Sequence, residues 1–564
     1  VWDEALRGTA GEPVTKRSII HWAQTCAPVK YKEINDENYV QMLSRFVYTY
    51  EGKIEHAMIA KVKHAMLRNK FVVATNGVDE KFVWYEFITS GQTMKTGEIY
   101  KWRMERNPVN LHLYIVDHLP KIYFEQMQRI KDRKESAEDE NMIKYWAKVE
   151  KVFKASETRL YDDIFQNKII LQAQYRFYDR TFIDQLDKYP DVIGVGNGIL
   201  KLGVETRFIA GFHEYKISKY TDVNYKPFDA NNPFIATLLR VFHDIFVEDD
   251  VFEFAMMHAG TGLDACESAN LLWLIVSGGS SGKSTYTKMI METLTTVFAT
   301  PGKASLLVGA FEKSNDANSA QMQMRDMRYF YVDEFEKARS VLNTTRVKSV
   351  TGGMRQTGRE IYEKQTTFKS TCNIVALNNH PFELDSTDWG SLRRLLYYTA
   401  KTKFCTDPDP NNPYEKLIDI DVENVYPNSP DYKEAMMSIM VHYREKLMRL
   451  YGGRLSRVPI PTIDAETQAF RKKQDTLYRY ISEMMVRSPD APEMTLDRVC
   501  MAYIEWMAKI NKKAIITIDD ARSAFMDSKL MKNISRINDT ASVVRGCRLR
   551  SNIDEPLGEG ETMY

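Results

Sequence analysis

Cysteine is scarce in this sequence: Cys26, Cys266, Cys372, Cys405, Cys500 and Cys547 are its six thiols in 564 residues, and none forms a C-x-x-C pair. A locally written zinc ribbon, a redox dithiol and a disulfide-stapled scaffold are excluded, and a reducing compartment is the simplest setting. Long apolar runs are also missing. None approaches the roughly 18–20 residues that cross a bilayer, and no charged segment followed by an apolar one opens the chain, so a soluble, non-secreted protein is expected. Nor is there an excess of either charge: 77 Lys and Arg face 76 Asp and Glu, a formal charge of +1, which leaves room only for local basic patches. Neither the 27 Gly nor the 19 Pro recur with a period, which rules out collagen-like and mucin-like chains. With 44% hydrophobic residues the sequence can fill several cores, roughly three to five domains at ~100–200 residues each, or one large domain with appendages. Val1 is not an initiator methionine, so a longer parent chain is expected.

The texture divides the chain in three. Residues 1–230 read as a mainly helical domain, with apolar residues such as Ile130, Ile143, Trp146, Val149, Val152 and Phe153 at helical spacing between Tyr123 and Leu160. Near its end Gly194, Gly196 and Gly198 do not fit G-x-G-x-x-G and read as turns. Over 231–453, strand and helix signals alternate, the pattern of an α/β domain with a mainly parallel sheet. The remainder, 454–564, begins with Pro459 and Pro461 and reads as a small, mainly helical C-terminal domain ending in an acidic tail expected to fray. Within it Lys529, Lys532, Arg536, Arg545, Arg548 and Arg550 crowd together, either as a solvated face or as a nucleic-acid contact.

The chemistry is written most densely at 271–285, LLWLIVSGGSSGKST. An apolar strand signal runs into a turn of Gly278, Gly279, Ser280, Ser281 and Gly282, and a helix pattern follows Lys283, Ser284 and Thr285. Small residues let successive backbone N–H groups curl around phosphates at a helix N-terminus, where those donors are unpaired and the dipole favours anions. Lys283 then reaches the β- and γ-phosphates of ATP, and Ser284 holds Mg²⁺. Ser277 occupies the position of the first glycine in G-x-x-x-x-G-K-[ST], so either Ser277 or Gly278 must meet the turn's backbone demands.

Two further strand signals supply acids and an amide. Tyr329–Val332 runs into Asp333 and Glu334, a metal-side acid and a general base for water. Asn373–Leu377 ends at Asn378, placed to hydrogen-bond a γ-phosphate or a lytic water. Arg393 and Arg394 precede the apolar run Leu395–Tyr398, and either guanidinium suits charge developing on a γ-phosphate, in its own subunit or in a neighbour's.

The ordered series SGGSSGKST, YFYVDE, KSVTGG, NIVALNNHP and SLRR resembles the superfamily 3 helicases, AAA+-related ring ATPases of viruses, and within them the primase-helicases of nucleocytoplasmic large DNA viruses of poxvirus and asfarvirus type. The likeness is most specific over 265–400 and looser at VWYEF, NGILKL, DTLYRYISE and AYIEWM. It implies an AAA+-like P-loop ATPase core between a helical collar and a small C-terminal domain. It also implies ATP and Mg²⁺ as cofactors, a homohexameric ring moving on single-stranded or forked DNA, other viral replication proteins as partners, and host cytoplasmic replication sites. Lys283 and Ser284 match its Walker A residues, Asp333 and Glu334 its Walker B acids, Asn378 its sensor, and one of Arg393 and Arg394 its arginine finger. Lys348 and Thr351-Gly352-Gly353 match the motif between Walker B and the sensor, with Met354 where an acid is commoner. Where the family inserts a channel β-hairpin, this chain has 354–370, and Arg355, Arg359, Lys364 and Lys369 are candidates for phosphates and Tyr362 for a base or sugar. The family's primase needs paired acids. Asp407 with Asp409 and Asp419 with Asp421 follow the ATPase motifs and read as a loop or partly exposed strand, so any primase is expected before Val1. A packaging motor, an RNA helicase and a nucleotide-gated scaffold are the rival readings.

Overall fold

The computed structural model describes residues 54–75, 81–88, 100–210, 214–265, 271–309, 322–333, 335, 341–352, 355–358, 366–386, 389–510, 516–527, 535–538, 541–558 and 560–563, with a few single positions before residue 54. Its centre is a five-stranded, all-parallel sheet built from β1 (Leu272–Val276), β2 (Ala299–Gly302), β3 (Tyr329–Val332), β4 (Asn373–Asn378) and β5 (Leu395–Thr399), in the order β5-β1-β4-β3-β2. Four of them, β1, β3, β4 and β5, are largely apolar runs because both faces are covered, whereas the edge strand β2, Ala-Thr-Pro-Gly, is buried only at Ala299. Trp273, Ile275, Val375 and Leu377 point to one face. There they pack on α1 (Pro233–Ile245), α2 (Lys283–Phe298) and, later in the chain, α4 (Pro430–Tyr451) through Phe242, Tyr286, Ile290 and Met436. Leu272, Leu274, Ile374 and Ala376 point to the other, against Val347 of α3 (Thr344–Thr351), Phe382 and Phe470 of α5 (Pro461–Gln474).

The mixed α/β class expected from the sequence is present, and two segments pack differently from the expected partition. Helix α5 lies along β5, not in the C-terminal unit: Phe470 stacks on Tyr397 at 4.4 Å. Its side chains also take up β5's outward backbone groups, with Tyr397 N donating to Thr467 Oγ1, Thr399 N to Glu466 Oε2, and Arg471 Nη2 to Leu395 O. Similarly Ile193, Val195, Leu200 and Val223 join the core under the central sheet. The helical reading of the first part holds for Leu119–Glu135, Glu140–Arg159 and Asp163–Phe177. That region also carries two three-stranded antiparallel sheets, one of them containing VWYEF within Phe82–Phe87. Gly194 and Gly198 lie on strands of the second, and Gly196 sits in the hairpin turn between them, as expected; a Cβ at each would lie 2.5–2.6 Å from Lys219 O, Ile209 O and Asn224 Oδ1 respectively, so all three also pack closely.

The tail is also tied down. Thr562–Met563 pairs with Met485–Arg487, and Arg548 is held by Glu555 and Glu561, so acids expected to fray are recruited by a neighbouring guanidinium. Arg545 pairs with Glu493 and Arg550 donates to the Glu483 carbonyl, which favours the solvated-face reading of this stretch. Lys529, Lys532 and the Arg536 side chain lie outside the described residues. No described helix is long and apolar enough to cross a membrane, and no cluster of metal-binding side chains occurs among the described residues.

Candidate functional site

Chains leaving adjacent strands β1 and β4 depart to opposite faces of the sheet, α2 to one and the Phe382 segment to the other. At the carboxyl ends of such strands a crevice opens, the common ligand position in open α/β sheets. Residues 277–283 fill its rim. Gly279 (φ 102°), Ser280 (φ 49°) and Gly282 (φ 79°) take left-handed backbone, whereas Ser277 does not. The serine in place of the expected glycine therefore carries no backbone strain. Instead its buried Oγ gathers the turn, accepting from Gly279 N at 3.3 Å and Lys283 Nζ at 2.9 Å and bonding Ser281 Oγ at 2.9 Å.

Lys283 is the first residue of α2, and its ammonium has a second acceptor, Asn379 Oδ1, at 2.6 Å. Burial lowers its pKa from the ordinary lysine value, and the carboxylate of Asp333 acts in the opposite sense. A Cβ on Gly278 or Gly279 would meet nothing within 4 Å, so the turn presents open backbone there. At Gly282 a Cβ would lie 2.6 Å from Ile245 Cγ1 and 3.0 Å from Phe404 Cε2, so only glycine fits there. Ser284 is exposed and Thr285 half-buried at the start of α2. Asp333 follows β3 directly, next to β4. Asn378 is buried at the end of β4, and its Oδ1 accepts from Asn379 N. The sheet thus brings Ser277–Thr285, Asp333 and Asn378 to one end. Glu334 lies outside the described residues.

The other predicted residues gather at the opposite end. Arg394 precedes β5, and its carbonyl accepts from Leu272 N at the amino end of β1; one of its guanidinium nitrogens lies near Gly352. Arg393, beside it, is exposed. Five strand residues at ~3.3 Å each place about 16 Å between these arginines and the loop end of the sheet. Lys348, half-buried on α3, shares this end. The expected hairpin is present as Arg355–Gly358 paired antiparallel with Thr366–Lys369, Arg355 opposite Lys369. Arg359, Tyr362 and Lys364 lie outside the described residues, as do the side chains of Arg355 and Lys369.

Residues 93–244 match the family described as D5 N terminal like. A protein of African swine fever virus named Putative primase is 38% identical over 567 residues, spanning 100% of this chain and 58% of that protein. The chain is homologous from end to end to this viral protein and carries a D5 N terminal like region. A protein of Acanthamoeba polyphaga mimivirus named Putative helicase is 23% identical, over 72% of this chain and 42% of its own length. One of Invertebrate iridescent virus 6, also named Putative helicase, is 24% identical over 38% and 23%. The chain spans less than two thirds of each of these relatives. The resemblance to large-DNA-virus primase-helicases read from the motifs is borne out by this company.

The sequence reading missed Asn379 as the lysine's partner and Ser277 as the hub of the turn. The first was signalled only by its place one residue beyond Asn378. The second was visible as a departure from the glycine pattern, though its role was not. Asp409 accepts from Asn411 N within a loop, as expected, whereas Asp419 caps the short helix Ile420–Asn424 by accepting from Asp421 N, so the second pair stands at a helix start.

Proposed function

We propose that this chain is the helicase part of a viral primase-helicase, an ATP-driven motor that moves along single-stranded DNA as a hexameric ring. One observation carries the reading: the ammonium of Lys283, held by Ser277 and Asn379, stands in the crevice between β1 and β4 beneath an open glycine turn. An unobstructed backbone cradle with a fixed cation beside it fits a triphosphate. Gly278–Thr285 would hold the phosphates, Ser284 and Asp333 the Mg²⁺, and Glu334 would orient water, with Asn378 beside it. ATP·Mg²⁺, when bound, supplies the phosphoryl bond whose hydrolysis drives movement. Arg393, exposed at the far end of the sheet, is suited to a neighbouring subunit's site and not to its own. The hairpin at 355–369 shares that end and would grip the DNA backbone, with Lys348 nearby. The names of the viral relatives support a replication role.

The test is ATP turnover with and without single-stranded DNA, on this chain and on Glu334→Gln. Turnover stimulated by DNA and lost in the variant is expected. Turnover indifferent to DNA sinks the translocation claim, and Lys283→Ala protein that still hydrolyses ATP sinks the site.

A further inference from the structure

At the amino end of the central sheet, remote from the glycine turn, a cavity of about 390 Å³ opens where three parts of the chain meet. Tyr85 reaches it from the antiparallel sheet that holds Phe82–Phe87, and residues of 183–192 and 217–219 line it from around the second antiparallel sheet. Phe298, Asp326, Arg328 and Thr371 come from the segments that lead into β2, β3 and β4. The junction is cross-tied. Trp102 N donates to Ile217 O at 2.8 Å, Thr221 Oγ1 to Thr293 O of α2 at 2.7 Å, and Arg328 Nη2 to Val192 O at 2.7 Å. Part of the wall is apolar: Leu186, Ile217 and the ring of Tyr85, which packs on Phe182 at 4.9 Å. The remainder carries charge, with Lys188, Lys219 and Arg328 against Asp187 and Asp326. The two carboxylates are used differently. Asp187 is committed to the neighbouring segment, accepting from Ser218 N at 2.7 Å, Lys219 N at 3.1 Å and Ser218 Oγ. Asp326 is half exposed, and its Oδ2 takes Lys219 Nζ at 2.9 Å with Arg325 Nε at 3.9 Å. Both stand on left-handed backbone, φ 57° and 63°, which residues other than glycine adopt uncommonly and often at ligand sites.

We infer that this junction cavity binds a 5′-phosphorylated nucleotide unit, its phosphate held by Lys188 and Lys219 and its base lodged against the apolar wall at Tyr85. It is a second site, separate from the glycine turn and independent of how that turn is read. The volume falls within the range of small-molecule pockets, which are common where structural units adjoin. A phosphomonoester carries up to two negative charges, so two ammoniums match it, and charge-assisted bonds to phosphate are among the stronger polar contacts. Lys219 can exchange its exposed carboxylate partner, Asp326, for the more highly charged phosphate without leaving a buried charge unpaired. The apolar wall and the Tyr85 ring suit a flat heterocycle. Such a unit can arrive as a free mononucleotide or as the 5′ end of a strand.

The test is equilibrium binding to the whole chain carrying Lys283→Ala, which takes the glycine turn out of the measurement. Thymidine 5′-monophosphate is expected to bind, and thymidine, which lacks the phosphate, to bind at least about tenfold more weakly, the worth of one hydrogen bond to a charged group. Adding Lys188→Glu, a change at an exposed side chain, is expected to weaken the monophosphate by about tenfold or more, and Lys219→Ala likewise, with unfolding midpoints showing that each variant is folded. Irradiation with 5-iodo-2′-deoxyuridine monophosphate and peptide mapping should place label on Tyr85 or on 183–192. A short oligothymidylate with and without a 5′-phosphate separates the two sources: a preference of about tenfold for the phosphorylated end points to a strand terminus, and no preference points to the free mononucleotide. Absence of monophosphate binding at millimolar concentration, binding that survives both Lys188→Glu and Lys219→Ala, or label confined to other peptides overturns the inference.

Discussion

Lys283 bridges two parallel strands: rooted in the first turn after β1, its Nζ donates at 2.6 Å to Asn379 Oδ1, just beyond the end of β4. The ladder that sets Val276 opposite Asn378 thus also fixes where the cation stands. A slip of one residue in that pairing would turn Asn379 to another side.

The protonation of this lysine can be measured. Burial lowers its pKa below that of a free lysine, while the Asp333 carboxylate raises it. Competitive labelling with an amine reagent across pH should find Lys283 deprotonating before surface lysines. Asp333→Asn removes the favourable negative charge, so its midpoint should move lower still. A midpoint that stays put or rises refutes the coupling.

Two glycines of the turn should respond oppositely. Gly282→Ala forces a Cβ at φ 79° into Ile245 and Phe404, and should cost about 1–3 kcal/mol of stability with a lower unfolding midpoint. Gly278→Ala meets no atom within 4 Å and should keep the midpoint while weakening nucleotide binding, because its methyl enters the open cradle. Equal midpoints for the two variants would contradict the packing described.

An arginine some 16 Å from its own loop predicts sharing between subunits. Mixing Lys283→Ala chains with Arg393→Ala chains should restore ATP turnover that neither has alone, since some interfaces then hold both intact groups. Failure of every mixing ratio to recover turnover would argue against Arg393 as the shared residue.

His258 makes stability sensitive to acid. Fully buried among Phe254, Trp273 and Tyr329, it is held neutral by desolvation, its pKa pushed down to about 3. In the unfolded chain it titrates near 6.5. Between those values the unfolded state binds the extra proton, so this contribution to stability is lost as pH falls below about 6.5, by about 1.4 kcal/mol per unit. Denaturant unfolding at pH 7 and pH 5 should therefore show a smaller loss in His258→Phe than in the parent, by about 2 kcal/mol. The same loss in both proteins would remove His258 from the account.

What could be read in advance follows from the range of the interactions. The β1-turn-α2 unit was legible because its apolar run, glycines and helix pattern are consecutive, and likewise Asp333 and Asn378 because each ends an apolar strand. Asn379 as a lysine partner was not, because that contact depends on which strand lies beside β1. The Lys219–Asp326 pair joins segments far apart in the chain and left no local signal. Helix α5 was assigned to the wrong neighbour because its amphipathic pattern says that one face is buried, not what buries it. Arg393 and Arg394 could be named as a pair, but only the strand direction shows that they stand away from their own loop.

The hydrogen bonds from α5 to β5 also bear on how copies of this chain can meet. A parallel sheet with a bare border offers unpaired N–H and C=O groups that another chain can extend into a fibril. Here one border has Thr467, Glu466 and Arg471 capping Tyr397, Thr399 and Leu395, and the strand at the other border contains Pro301, which has no N–H to give. Capped by α5 on one side and interrupted by a proline on the other, neither border of the central sheet offers an added strand a full row of backbone partners.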